Sequence, residues 1–95
     1  MTYKLIVPPH VEEIIQGLTP TLKQKVRAAL DAIKEDPHSG KFLRDNLQGY
    51  LTYRTAYYRI VYKIEHRNIE IQIIAIGPRN TIYATVIEYL RSMSP

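Results

Sequence analysis

The chain has 95 residues, with 13 Lys/Arg against 9 Asp/Glu and no cysteine. That length suits one domain with a modest core. It leaves no room for a deep cofactor chamber, which argues against a nucleotide-cofactor oxidoreductase. Without cysteine there is no disulfide, thiolate metal site or cysteine nucleophile, a composition that suits a reducing cytoplasm, where the protein is expected to reside.

No apolar run approaches the roughly 20 residues of a membrane span, and Lys4 is followed by Pro8-Pro9-His10 where a signal peptide would carry an apolar stretch. The net charge of +4 is unevenly placed: residues 50–95 hold six bases against three acids, and five of those bases are arginines, Arg54, Arg59, Arg67, Arg79 and Arg91. Seven of the eight tyrosines share that half. Arginine forks beside tyrosine rings suit a phosphate backbone with unstacked bases.

Thr2–Val7 is β-prone and is stopped by Pro8 and Pro9. Pro9 then opens a short helix in which Val11, Ile14, Ile15 and Leu18 recur at helical spacing, ending near Gly17. Thr19 as N-cap and Pro20 at the first helical position start a second helix. Its apolar stripe is Leu22, Val26, Ala29, Leu30 and Ile33, and Pro37 ends it. The short break between the two predicts a helical hairpin.

His38 to Gly49 reads as a connection anchored by Phe42 and Leu47. From Tyr50 the apolar period changes to two, predicting strands over Tyr50–Thr55, Arg59–Glu65 and Ile69–Ile76, joined as an antiparallel meander with Asn68 as a left-handed turn residue. Ile60, Tyr62 and Ile64 should face one side of the middle strand, and Arg59, Val61 and Lys63 the other. The third strand is apolar on both faces, so something should pack on each. Asn80 or Thr81 caps a last helix carrying Ile82, Val86, Tyr89 and Leu90. The predicted class is α+β: an N-terminal helical hairpin on a small, mostly antiparallel sheet, with a C-terminal helix at its edge or other face. The first strand should join beside a later one.

No glycine-rich phosphate loop or serine elbow is present. His10, His38 and His66 lack metal-ligand spacing, so neither metal nor cofactor is expected. The informative group is Arg54, Arg59, Arg79 and Tyr83. In an antiparallel meander Arg79, just past the end of one strand, returns beside Arg59 at the start of its partner, and Arg54 ends the strand before. Tyr83 follows Arg79 by four positions, one turn away if helix begins by Asn80. Guanidiniums so gathered can hold non-bridging phosphate oxygens through paired charge-assisted hydrogen bonds. The alternative is that Arg59 and Arg79 pair with Glu65, Glu70 or the C-terminal carboxylate, or simply lie in solvent.

Lys41, Leu47-x-Gly49, Tyr53-Arg54, Tyr58-Arg59-Ile60-Val61-Tyr62, Ile76-Gly77-Pro78-Arg79 and Tyr83, after a helical hairpin, resemble the RelE/ParE superfamily of type II toxins over nearly the whole chain. The resemblance implies the fold derived above and neutralisation by a cognate antitoxin encoded nearby. One branch enters the ribosomal A site and cleaves mRNA, the activity that Arg59, Arg79 and Tyr83 together favour. The alternatives are the other branch, which poisons DNA gyrase, and an inactive toxin-like binding protein. For the RelE-like branch it implies three roles: Arg59 on the phosphate transition state, Arg79 near the leaving group, and Tyr83 on the attacking 2′-hydroxyl. Arg54, Lys41, Tyr57 and Lys63 complete the RNA-binding candidates. Tyr50 and Thr52 stand where some members carry lysines, and no histidine lies near Arg79 or Tyr83 for acid–base work. Because tyrosine and arginine titrate near about 10 and above about 12, the chemistry is expected to depend on the ribosome.

Overall fold

A computed structural model describes residues 2–93. The chain runs β1 (Lys4–Ile6), α1 (Pro9–Gln16), α2 (Pro20–Glu35), β2 (Lys41–Phe42), β3 (Leu51–Thr55), β4 (Tyr58–Glu65), β5 (Glu70–Pro78) and α3 (Ile82–Met93), with single 3₁₀ turns at Pro37–Ser39 and Asp45–Leu47. The helix starts follow the local chemistry. Pro9 and Pro20 occupy early positions whose N–H needs no partner, and the Thr19 hydroxyl accepts the Leu22 N–H at 3.4 Å. An exposed ion pair, Arg27 to Glu12 at 2.7 Å, ties the two helices together. The Arg27 guanidinium holds the Glu12 carboxyl below its ordinary value.

The strands form one five-stranded sheet in the order β1-β5-β4-β3-β2. The meander β3-β4-β5 is antiparallel as predicted, and β1 returns beside β5 in parallel, pairing Lys4 with Glu70. Only three residues of the expected Thr2–Val7 strand pair, because β5 accepts them along so short a stretch. In β4, Ile60 and Tyr62 face α1 and α2 in a core with Val11, Ile15, Val26, Leu30, Ile33, Leu51, Ile71, Ile73 and Ile76. Val61 faces the other way, packing with Leu47, Ala75, Ile82 and Val86 beneath α3. The C-terminal helix therefore covers the opposite face.

A bulge makes both layers possible. Tyr62 pairs with Ile73 and Val61 with Ala75, leaving Ile74 as one extra residue in β5. The insertion reverses parity, so Ile73 and Ile76 both reach the α1/α2 core across an odd spacing. His10 Nε2 lies 2.9 Å from the Ile74 carbonyl and fastens the bulge to α1.

Tyr62 ties the 37–40 turn to the sheet. Its buried hydroxyl donates to the Pro37 carbonyl at 2.7 Å and accepts the Gly40 N–H at 3.1 Å. Desolvation raises its pKa. Gly40 is required there by contact, since a Cβ would stand 2.5 Å from the Tyr62 hydroxyl and 2.7 Å from the Thr52 carbonyl.

Two sequence expectations are corrected. Phe42 is no anchor: it sits on the two-residue edge strand and is 63% exposed, while Leu47 is buried in the core and Leu43 packs against it. The left-handed residue of the β4–β5 turn is Ile69, with φ 55°, not Asn68. The Glu65–Glu70 pairing fixes a four-residue loop whose last position must reverse into the strand, whichever side chain stands there.

Candidate functional site

The sheet register assembles the site. Arg54 pairs directly with Arg59 across β3 and β4, and Arg59 pairs with Gly77 across β4 and β5. Since Ile60 and Tyr53 face the α1/α2 core, the two arginines lie on the α3 face, with side chains roughly 5 Å apart at Cβ. Arg79 follows β5, and its N–H donates to the Tyr57 carbonyl at 3.1 Å, which pins the β3–β4 turn to the end of β5. Gly77 matters because α3 begins on top of it: a Cβ there would lie 3.1 Å from Ile82 Cδ1.

The result is an open cavity of about 290 Å³ lined by Arg54, Ala56, Tyr57, Arg59, Pro78, Arg79 and Asn80. Like charges directly opposite on adjacent strands are unfavourable without a counter-charge. Among the described residues the ion pairs join only Arg27 to Glu12 and Arg91 to Glu88. Glu65 instead accepts from the Arg67 N–H and Glu70 from Gln72. No carboxylate among the described residues therefore takes up the three guanidiniums, an arrangement that can accept an anion through charge-assisted hydrogen bonds.

The turn over the cavity is strained. Thr55 pairs with Tyr58 around the two-residue loop Ala56-Tyr57, and Ala56 takes φ 52° at a position that favours glycine.

Of the residues singled out from sequence, Arg54, Arg59, Arg79 and Tyr57 meet here. Tyr83 does not. Helix begins at Ile82, so Tyr83 is not a turn beyond Arg79; it packs half-buried in a separate depression with Leu43, Arg44, Asp45, Asn46, Leu47 and Ile87. Lys63 lies farther along β4 in a groove with Tyr50, Ile74 and Tyr89, and Lys41 is exposed on the edge strand opposite Thr52. Asn80 lines the arginine cavity but reads in the sequence only as a helix cap; its place beside Arg79 was the available signal. No three His, Asp or Glu side chains gather into a metal-binding group among the described residues, and none of their helices is long and apolar enough to cross a membrane.

The sequence model described as "ParE toxin of type II toxin-antitoxin system, parDE" matches residues 10–83, and the chain belongs to that family, within the RelE/ParE superfamily. It is thus a toxin of a type II toxin–antitoxin system.

Solved structures share its fold. The RelBE2 toxin–antitoxin complex of Mycobacterium tuberculosis contains a chain 22% identical, with 83% of this chain and 100% of that one covered and a TM-score of 0.74. A double arginine-to-alanine variant of the E. coli toxin RelE in the free state is 19% identical, with 94% and 98% covered and a TM-score of 0.73. A YoeB/ParE toxin from Agrobacterium tumefaciens is 20% identical, with 80% and 98% covered and a TM-score of 0.69. No curated protein matches the sequence.

Proposed function

We propose that this toxin is a ribosome-dependent endoribonuclease that cuts mRNA in the cytoplasm by attack of a 2′-hydroxyl on the adjacent phosphate. The observation that carries the reading is the cluster of three arginines, free of carboxylate partners among the described residues, around one cavity of about 290 Å³. In this reaction the nucleophile already belongs to the substrate, so the protein's task is alignment and charge stabilisation. The attacking oxygen bonds to phosphorus, the 5′-oxygen of the next nucleotide leaves with a proton, and a 2′,3′-cyclic phosphate remains.

Arg59, central in the sheet and flanked by Arg54 and the end of β5, stabilises the charge that grows on the non-bridging oxygens. Arg54 and Arg79 grip the backbone on either side. Asn80 places an amide at the same rim. Tyr83 lines a different depression, and its place at the 2′-hydroxyl rests on the family resemblance alone. Lys41 and Lys63 lie outside the cavity, where they can serve only RNA that runs along the sheet. With no histidine or carboxylate lining the cavity, proton transfer falls to the ribosome–message complex, and free RNA should be cut poorly. The partner that silences the toxin is a cognate antitoxin, in keeping with the toxin–antitoxin complexes among the similar structures.

The test is cleavage of programmed ribosomes by wild type and Arg59→Ala. A loss of about 10²-fold or more is expected, the scale of removing one donor that meets developing charge; equal cleavage would remove Arg59 from the chemistry. The family match to ParE toxins supports a second reading, a gyrase poison that performs no chemistry. Reading transcript ends and DNA topology from the same induced cells separates the two: cut messages with normal supercoiling support the nuclease, and intact messages with blocked supercoiling support the poison.

A further inference from the structure

We propose that Tyr57 is a stacking platform for one nucleobase of a single-stranded RNA whose adjoining phosphate is held by Arg54, Arg59 and Arg79. The inference rests on the RNA reading above and adds what the site recognises beside the phosphate.

Tyr57, Tyr58 and Tyr62 lie close in sequence, and the fold treats them differently. Tyr62 is fully buried, and Tyr58 packs against the α1/α2 core. Tyr57 is 83% exposed, well above the other exposed large apolar residues Ile14, Phe42 and Met93. Among the described residues its ring and hydroxyl make no hydrogen bond or ring contact.

Its backbone is nonetheless fixed. The two-residue turn is closed by the Thr55–Tyr58 pair, and the Tyr57 carbonyl accepts the Arg79 N–H at 3.1 Å. The residue is thus anchored through its backbone at the rim of the cavity the three arginines line, while its side chain stands open to solvent. That arrangement gives little to the stability of the free protein. A ligand with a flat face and a negative charge would use both halves.

A nucleotide has that chemistry. The cavity volume lies at the lower end of small-ligand pockets, roughly 300 Å³ upward, which suits a sugar–phosphate unit and leaves the base at the rim where Tyr57 stands. Alignment of a 2′-hydroxyl behind its phosphate pulls a base out of its stack, and an aromatic face replaces the lost stacking whatever the base. Tyrosine beside arginine also serves protein interfaces, but there the anchor sits in a dry apolar surround. Here the surround is guanidinium, proline, alanine and asparagine.

The chain has no tryptophan, so Tyr57→Trp makes this position its own fluorescent reporter. The probe is a 2′-O-methyl RNA octamer, which binds without being cut by 2′-hydroxyl attack. Titrated into the full-length variant, it is expected to quench the emission. An abasic sugar–phosphate chain of the same length should bind about tenfold more weakly and leave the emission unchanged. Tyr57→Ala should bind the octamer about tenfold more weakly, and Tyr57→Phe as tightly as wild type.

Equal affinity for octamer and abasic chain, with no quenching, overturns the proposal, as does failure of the octamer to bind. Quenching by gyrase subunits and not by RNA overturns it in favour of a protein contact. Quenching by the octamer while messages on ribosomes stay intact upholds the platform and dismisses the cleavage reading alone.

Discussion

On the face covered by α1 and α2, Ile60, Tyr62, Ile71 and Ile73 are at most 2% exposed, and the layer is closed from β5 to β3. On the face covered by α3, burial extends over Val61, Ala75, Ile82 and Val86, and the next cross-strand row, Arg54–Arg59–Gly77, emerges from under the helix into the arginine cavity. One strand serves both regions. Alternate residues of β4 build a dry core on one side and present a cation on the other, so the rigidity of the first positions the second. The difference teaches that this fold concentrates stability on one face and leaves the other free to carry unfavourable charge.

The largest expected effect sharpens that contrast. Ile60→Ala removes buried methyl groups from the closed face and should cost about 3 kcal/mol in urea unfolding. Arg54→Thr, on the opposite side of the sheet, relieves the like-charge pair with Arg59 and should gain about 0.5 kcal/mol while lowering message cleavage. A destabilised Arg54→Thr would break the comparison.

Between them in size stands Tyr62→Phe. It strands the Pro37 carbonyl and the Gly40 N–H and should cost about 2 kcal/mol. The same residue gives a pH signature. Folding holds the Tyr62 proton more firmly than the unfolded chain does, so unfolding releases it once pH passes the ordinary tyrosine value. The contribution is therefore complete below about pH 10 and is lost as pH climbs toward the raised folded value. Alkaline melts of wild type should show this decline, and Tyr62→Phe should lack it.

Much of the fold was legible because its signals are local. Pro20 after Thr19, the stripe from Leu22 to Ile33, and the change to a period of two at Tyr50 each report what a few neighbouring residues must do. The convergence of Arg54, Arg59 and Arg79 was legible as well, since short antiparallel connections leave few ways to arrange the ends of three strands. Tyr83 shows where this reasoning stops. Of the two caps the sequence offers, Thr81 is the one used, so helix starts at Ile82, and Tyr83 lines a different depression from Arg79. End effects of one or two residues are beyond what propensity resolves. Phe42 fails for a related reason: its apolar side chain is outweighed by an edge strand only two residues long, which leaves it largely exposed.

By itself the sequence determined the order of helices and strands, the two faces of β4 and the gathering of cations at one rim. These follow from periodicity and chain reversal. Tertiary structure alone decided that Ile74 would be extruded as a bulge, that α3 would rest on Gly77, and that no carboxylate would come to the arginines among the described residues. Each of those outcomes depends on which distant surfaces pack together, and packing is set by the whole chain at once.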